Sequence, residues 1–186
     1  MMKQILVAGI LALSVTASAQ EPVFTKDGKL MPPKNYREWI FLSSGLGMTY
    51  GQPEGAPSAN PRFDNVFVNP PAYKAFMETG KWPDKTMFVL EVRSSASHGS
   101  INKDGHYQTE DARLSAEVKD STRFKDGSWE FFTIPADGKP GEMLPRSAGC
   151  VACHSKNGAV DNTFVQFYPT LLPVAKAKGT LKSAEK

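Results

Sequence analysis

The chain has 186 residues, two cysteines, three histidines and a formal net charge of +3. That length suits one domain able to bury a core without disulfide staples. The near balance of 22 basic and 19 acidic residues argues against nucleic acid or an acidic lipid surface as partner.

The N-terminal stretch MMKQILVAGILALSVTASAQ carries Lys3, an apolar run from Ile5 to Val15, and small residues at Ala17 and Ala19. This is the pattern of a secretory signal peptide, residues 1–19, cleaved after Ala19. The run is shorter than the roughly 20 apolar residues a membrane-spanning helix needs, and no second run follows. The mature chain, residues 20–186, is expected to be one soluble domain in a bacterial periplasm. Losing Lys3 takes its charge from +3 to +2.

Next comes PVFTKDGKLMPPKN, a proline-rich extended lead-in. REWIFLSSGLGMTYG contains a strand over Trp39 to Ser43. GQPEGAPSANPRF is a loop and DNVFVN a short strand. PPAYKAFMETGKW opens with prolines suited to a first helical turn, repeats Tyr73, Phe76 and Met77 at helical spacing, and ends at Gly80. KTMFVLEVRS is the strongest strand. SSASHGSINKDGHYQTEDA is a polar loop or hairpin. RLSAEVKDSTRF and SWEFFTIP are strands joined by a KDG turn. Alternating apolar residues put Met87 to Arg93, Leu114 to Lys119 and Ser128 to Ile134 in one antiparallel sheet. NTFVQFYPTLLPVAKAKG reads as a C-terminal helix interrupted at Pro169 and Pro173. The lysines of AKAKGTLKSAEK form a solvated tail or, more sharply, a basic patch that docks a redox partner protein.

Both cysteines lie in SAGCVACHSKNGAVDN. A redox C-x-x-C belongs in a thioredoxin-like βαβ unit, which is missing here. A structural zinc needs four ligands, and Cys150, Cys153 and His154 supply three. The remaining reading is C-x-x-C-H, the attachment signature of a c-type haem. On a helix, positions i, i+3 and i+4 share a face. Two thiols there can form thioethers with the haem vinyl groups, and His154 can serve as proximal ligand and metal-binding residue. A haem helix in a chain made mostly of strands excludes the small all-helical cytochromes c and the four-helix cytochromes c′.

PKNYREWIFLSSGL, VFVNPPAYKAFMETGKWPDKTMFVLEV, and AGCVACH followed by NTFVQFYPTL together resemble the cytochrome P-460 family, which includes the cytochromes c′-beta. The resemblance covers nearly all of the mature chain. It implies an α+β fold, mainly antiparallel β-sheet with a few helices, with one covalent haem c packed against the sheet. It also implies a homodimer, His154 on one face of the iron, and the other face open. Enzymatic members oxidise hydroxylamine, or hydroxylamine and nitric oxide. The c′-beta members bind nitric oxide or carbon monoxide behind an apolar cap.

In the enzymatic members a lysine is joined to a haem meso carbon. The matching position here is Leu90, which has no nucleophilic atom. Lys85, five residues earlier, falls on the opposite face and is expected to be a solvated lysine where the strand begins. If Leu90 faces the haem, Phe88 and Val92 share its side. Phe88 is then either an apolar cap or core. Phe41 and Phe67 could line the pocket but fit core positions better. An acidic residue that enzymatic members carry before the haem motif matches Pro145 here, and nearby Glu142 suits a solvated loop.

A sixth iron ligand would come from His98, His106, Met48, Met87 or Met143 and would make the chain an electron carrier. The expectation is instead a small diatomic or nitrogen-oxide ligand bound at an open site, as in the c′-beta members. Hydroxylamine or nitric oxide oxidation is the alternative, and no catalytic residue is assigned.

Overall fold

The computed structural model describes residues 20–50, 57–125 and 128–182. The expected signal peptide lies outside the described residues. Alternating β-branched and aromatic residues build five strands: β1 (Ile40–Leu46), β2 (Phe63–Val68), β3 (Met87–Ala96), β4 (Tyr107–Lys119) and β5 (Trp129–Ile134). Their order in the sheet is their order in the chain, and every neighbouring pair is antiparallel. The helices are α1 (Pro70–Thr79), α2 (Cys150–Asn157) and α3 (Leu172–Lys178). This is the expected α+β fold, mainly antiparallel sheet, and the three segments chosen from alternation lie in β3, β4 and β5. Among the described residues, no helix is long and apolar enough to cross a membrane.

Strand register divides the sheet into two faces. On the front, Val68, Phe88, Glu117 and Phe131 form one cross-strand row. Val66, Leu90, Ser115 and Thr133 form the next, and Asp64, Val92 and Arg113 the third. On the back, Phe67, Val89, Ala116 and Phe132 are aligned. Each face has its own core. Phe76 of α1, Trp82, Val165 and Leu171 pack with Val68, Phe88 and Trp129 on the front. Leu30 and Trp39 pack with Met87, Val89, Val118 and Phe132 on the back. Fully burying a side chain of this size stabilises the fold by about 1.5–3 kcal/mol.

α1 starts at a Pro-Pro pair and stops at Gly80, whose φ of 71° is left-handed and whose N–H returns to the Phe76 carbonyl at 2.7 Å. A Cβ at Gly80 would stand 2.7 Å from Lys178 Cβ, so the glycine also lets α3 approach. Buried Asn69 joins this helix to β3, donating to the Lys85 carbonyl at 3.0 Å and accepting from Met87 N–H at 2.9 Å.

Four sequence expectations change. β1 runs Ile40–Leu46 rather than Trp39 to Ser43, because Trp39 turns into the back core. The C-terminal segment is not one interrupted helix: a 3-10 turn at Val165–Phe167 precedes α3, and Pro173 lies in the first turn of α3, where it starts the helix rather than breaking it. Lys85 precedes β3 with a φ of 67°, and its ammonium pairs with fully buried Asp120, which needs a countercharge. Phe67 packs against the back core as expected, but Phe41, also expected in the core, is exposed on edge strand β1 and stacks on Phe67 with centroids 5.6 Å apart. Neither lies on the face that carries His154.

The back face also holds a buried carboxylate. Glu91 is 1% exposed and accepts from Tyr36 Oη at 2.9 Å, Arg93 Nη2 at 2.8 Å, Asn65 Nδ2 at 3.3 Å and the Arg37 guanidinium. Tyr36 and Arg37 belong to the NYREW stretch, so this carboxylate fastens the lead-in to the sheet. Burial raises the Glu91 carboxyl, but these hydrogen bonds override it and hold the pKa at about 2 instead of 4.5. A value depressed in the folded state means that the contribution is complete above about pH 4.5 and is lost as the pH falls toward 2. Replacing Glu91 by Gln leaves the arginines without their anion. Denaturant titration should show a loss of about 3 kcal/mol at pH 7, and the gap from the parent protein should narrow between pH 4.5 and 2.

Candidate haem site

Gly149, with a φ of 81°, turns the chain into α2, whose first residue is Cys150. The helix packs beside β5. Cys150, Cys153 and His154 are all half-buried, and both thiols are free. The helix thus brings the three motif residues onto adjoining positions, as their spacing of i, i+3 and i+4 requires.

His154 is tightly fixed. Its ring lies between Phe131 of β5, 4.6 Å away, and Phe164, 4.4 Å away. Nδ1 is 3.0 Å from the Asn162 carbonyl oxygen. A carbonyl can only accept, so Nδ1 carries the proton and Nε2 of the neutral ring carries the lone pair. The turn that delivers this carbonyl is built from left-handed Asp161 and Asn162, closed by the Val160–Thr163 bridge. Trp82 Nε1 donates to Thr163 Oγ1 at 2.9 Å, tying the turn to the front core.

Glu117 completes the surroundings. It extends from β4 on the front face, is 9% exposed, and places Oε1 3.3 Å from His154 Nδ1. That approach is too poorly aligned for a hydrogen bond, since the Nδ1 proton points to Asn162, and Oε1 remains buried without a hydrogen-bond partner. Burial raises the Glu117 carboxyl, outweighing the opposing pull of His154. Burial would lower the His154 imidazole, yet Glu117 and the Asn162 carbonyl together raise it. Lys119, two residues along β4, pairs with Asp161 at 2.5 Å and so is not Glu117's partner.

Beyond this first row the front face is only partly covered. Val66, Leu90 and Ser115 are half-buried, and a cavity of about 280 Å³ follows, lined by Arg62, Val92, Ser94, Ala112 and Arg113. The chain leaving β1 folds back over this face. Met48 Sδ occupies the space above Gly45, where a Cβ would meet it at 2.3 Å. Partial desolvation, with Asp64 as a neighbouring negative charge, raises the Tyr50 phenol.

Phe88, Leu90 and Val92 therefore share the face carrying His154. Phe88 is 4% exposed and packed against Trp82, Trp129 and Tyr168, while Leu90 remains half-buried one row away. Met87 is on the back, and exposed Met143 bridges to Phe132 through its backbone. His98 and His106 sit in the β3–β4 connection, where the ring of half-buried His106 is 2.9 Å from the Ala59 carbonyl. Of the candidate sixth ligands, Met48 is the one placed over the front face. Glu142 is exposed and paired with Lys29 at 2.5 Å, and Pro145 precedes a 3-10 turn at Arg146–Ala148.

The donor set fits a c-type haem. Among the described residues, no three His, Cys, Asp or Glu side chains are arranged to hold a metal ion by themselves. One histidine with a free Nε2 would suit an iron whose remaining ligands came from a macrocycle, and the unpartnered Glu117 oxygen would suit a neighbouring cation.

Gly158 lets the turn close beneath His154. A Cβ there would meet Asn162 C at 2.5 Å and the His154 carbonyl oxygen at 2.7 Å, both backbone atoms. Gly158→Ala should cost about 1–3 kcal/mol through overpacking, read as a lower thermal midpoint.

A family model described as Cytochrome P460 matches residues 33–165, from the lead-in through α2 to the Asn162 turn. A search of the curated proteins finds no match.

Proposed function

The chain belongs to the cytochrome P460 family, and from that premise we propose that it is a periplasmic mono-haem c cytochrome that binds nitric oxide or a similar small ligand at an open iron site. Cys150 and Cys153 hold the haem as thioethers and His154 ligates the iron. The observation that carries this reading is the Asn162 carbonyl, which occupies the Nδ1 proton and leaves Nε2 free on the same helix as two unpaired thiols. A haem iron supplies a one-electron couple and a coordination position for a diatomic ligand. The residues around it supply shape. Leu90 and Val92 present hydrocarbon and offer neither a hydrogen bond nor a base. A diatomic gas needs neither, whereas hydroxylamine oxidation must remove protons, and general-base assistance is typically worth about 10²–10⁴-fold in rate. Export through residues 1–19 belongs to the same proposal. So does a homodimer, supported by exposed Phe41 and Leu46 on edge strand β1.

Two other roles have specific discriminators. An oxidase of hydroxylamine or nitric oxide would require a nucleophile at Leu90 or another route to a cross-link. Lys85, paired with Asp120, does not offer one. An electron carrier would use Met48, the thioether over the front face.

Acid–acetone extraction should leave the pigment with the polypeptide, and the double replacement of Cys150 and Cys153 by Ser should release it into the organic phase. Release from the parent protein would exclude thioether attachment.

Mass spectrometry of the haem peptide should find two thioether links and no third bond. Hydroxylamine with an artificial electron acceptor should turn over slowly or not at all. Steady turnover, or a cross-link traced to Lys85, would transfer the assignment to the oxidase.

A further inference from the structure

Glu117 is a buried carboxylate for which the fold provides no partner. Its Oε1 has no hydrogen bond and stands 3.3 Å from His154 Nδ1. The neighbouring cation, Lys119, is taken by Asp161 at 2.5 Å and by the Trp82 carbonyl at 2.9 Å. On either side of Glu117 in its row stand Phe88 and Phe131. An isolated buried charge costs several kcal/mol. The position makes physical sense if the histidine beside it bears a cation on its other nitrogen.

Resting on the haem reading above, we propose that Glu117 is a positioning residue for His154. Its carboxylate and the Asn162 carbonyl stand together at the Nδ1 side of the ring. They hold the N–H there, fix the ring's rotation between Phe131 and Phe164, and make Nε2 a stronger electron donor. Iron at Nε2 supplies the missing countercharge, and the carboxylate in turn favours the more positive, ferric state. Glu117 touches neither ligand nor haem in this account; it acts through His154.

The test compares holoprotein carrying Glu117 with Glu117→Gln, which keeps shape and an acceptor oxygen but removes the charge. Two readouts respond to this role and not to general packing: the midpoint reduction potential, and the iron–histidine stretch of the ferrous protein in resonance Raman spectra. The Gln variant should be easier to reduce, by about tenfold in the equilibrium constant, or about 59 mV for one electron. Its iron–histidine stretch should move to lower frequency. Glu117→Asp withdraws the charge by one methylene and should shift both in the same direction by less; it serves if the Gln variant does not fold. Unchanged potential and stretch in either folded variant overturn the role of Glu117 while leaving the haem reading intact. A parent protein without covalent haem, or without an iron–histidine stretch, overturns the haem reading itself.

Discussion

Everything proposed for this protein depends on one hydrogen bond, from His154 Nδ1–H to the Asn162 carbonyl. A histidine midway along a short helix could rotate, change tautomer or face solvent. Here a backbone acceptor, which cannot exchange roles, decides which nitrogen is protonated. The lone pair is thereby placed at Nε2, the nitrogen farther from the backbone. The acceptor is itself held at several points. Left-handed Asp161 and Asn162 shape the turn, Gly158 lets it close, and Trp82 reaches from the front core to Thr163. The sheet therefore fixes His154 through the segment that follows α2 as well as through α2 itself.

The two faces of the sheet divide the work. The back is closed by the lead-in and keyed by Glu91, whose partners Tyr36, Arg37, Arg93 and Asn65 satisfy the charge. The front is packed in its first row and only partly covered in the next two, where Leu90 and Val92 lie. Two buried carboxylates on opposite faces thus meet opposite fates. Glu91 is saturated with donors, whereas Glu117 is left short of one. The first is a structural fastening, and the second stands beside the histidine proposed to hold the iron.

Much of the layout was legible in the sequence, because it depends on local rules. The alternation in MFVLEV and WEFFTI marked strands, Pro-Pro and Gly80 bracketed α1, and C-x-x-C-H marked a helix carrying three groups on one side. What escaped was set by contacts between distant segments. In RLSAEVKD the residues Leu114, Ala116 and Val118 read as the core side, so Ser115 and Glu117 read as solvent-facing. The helix that covers Glu117 comes more than thirty residues later, and no local pattern announces it. Asn162 acts through its carbonyl, which its side-chain identity does not reveal. Lys85 resembled a solvated lysine because its partner, Asp120, lies 35 residues later, just past the end of β4. Phe41 and Phe67 had the right composition for a pocket, but register put them on the other face.

Met48 is the group that most directly competes with an open site, since it lies over the face that carries His154. The central claim is that Nε2 of His154 is the sole protein ligand to iron. Absorption spectra of the purified protein, oxidised and reduced, with and without nitric oxide, test it directly. The account predicts a high-spin, five-coordinate ferrous spectrum that changes on adding nitric oxide. A low-spin, six-coordinate ferrous spectrum that nitric oxide leaves unchanged would contradict it and assign the second axial position to a side chain such as Met48.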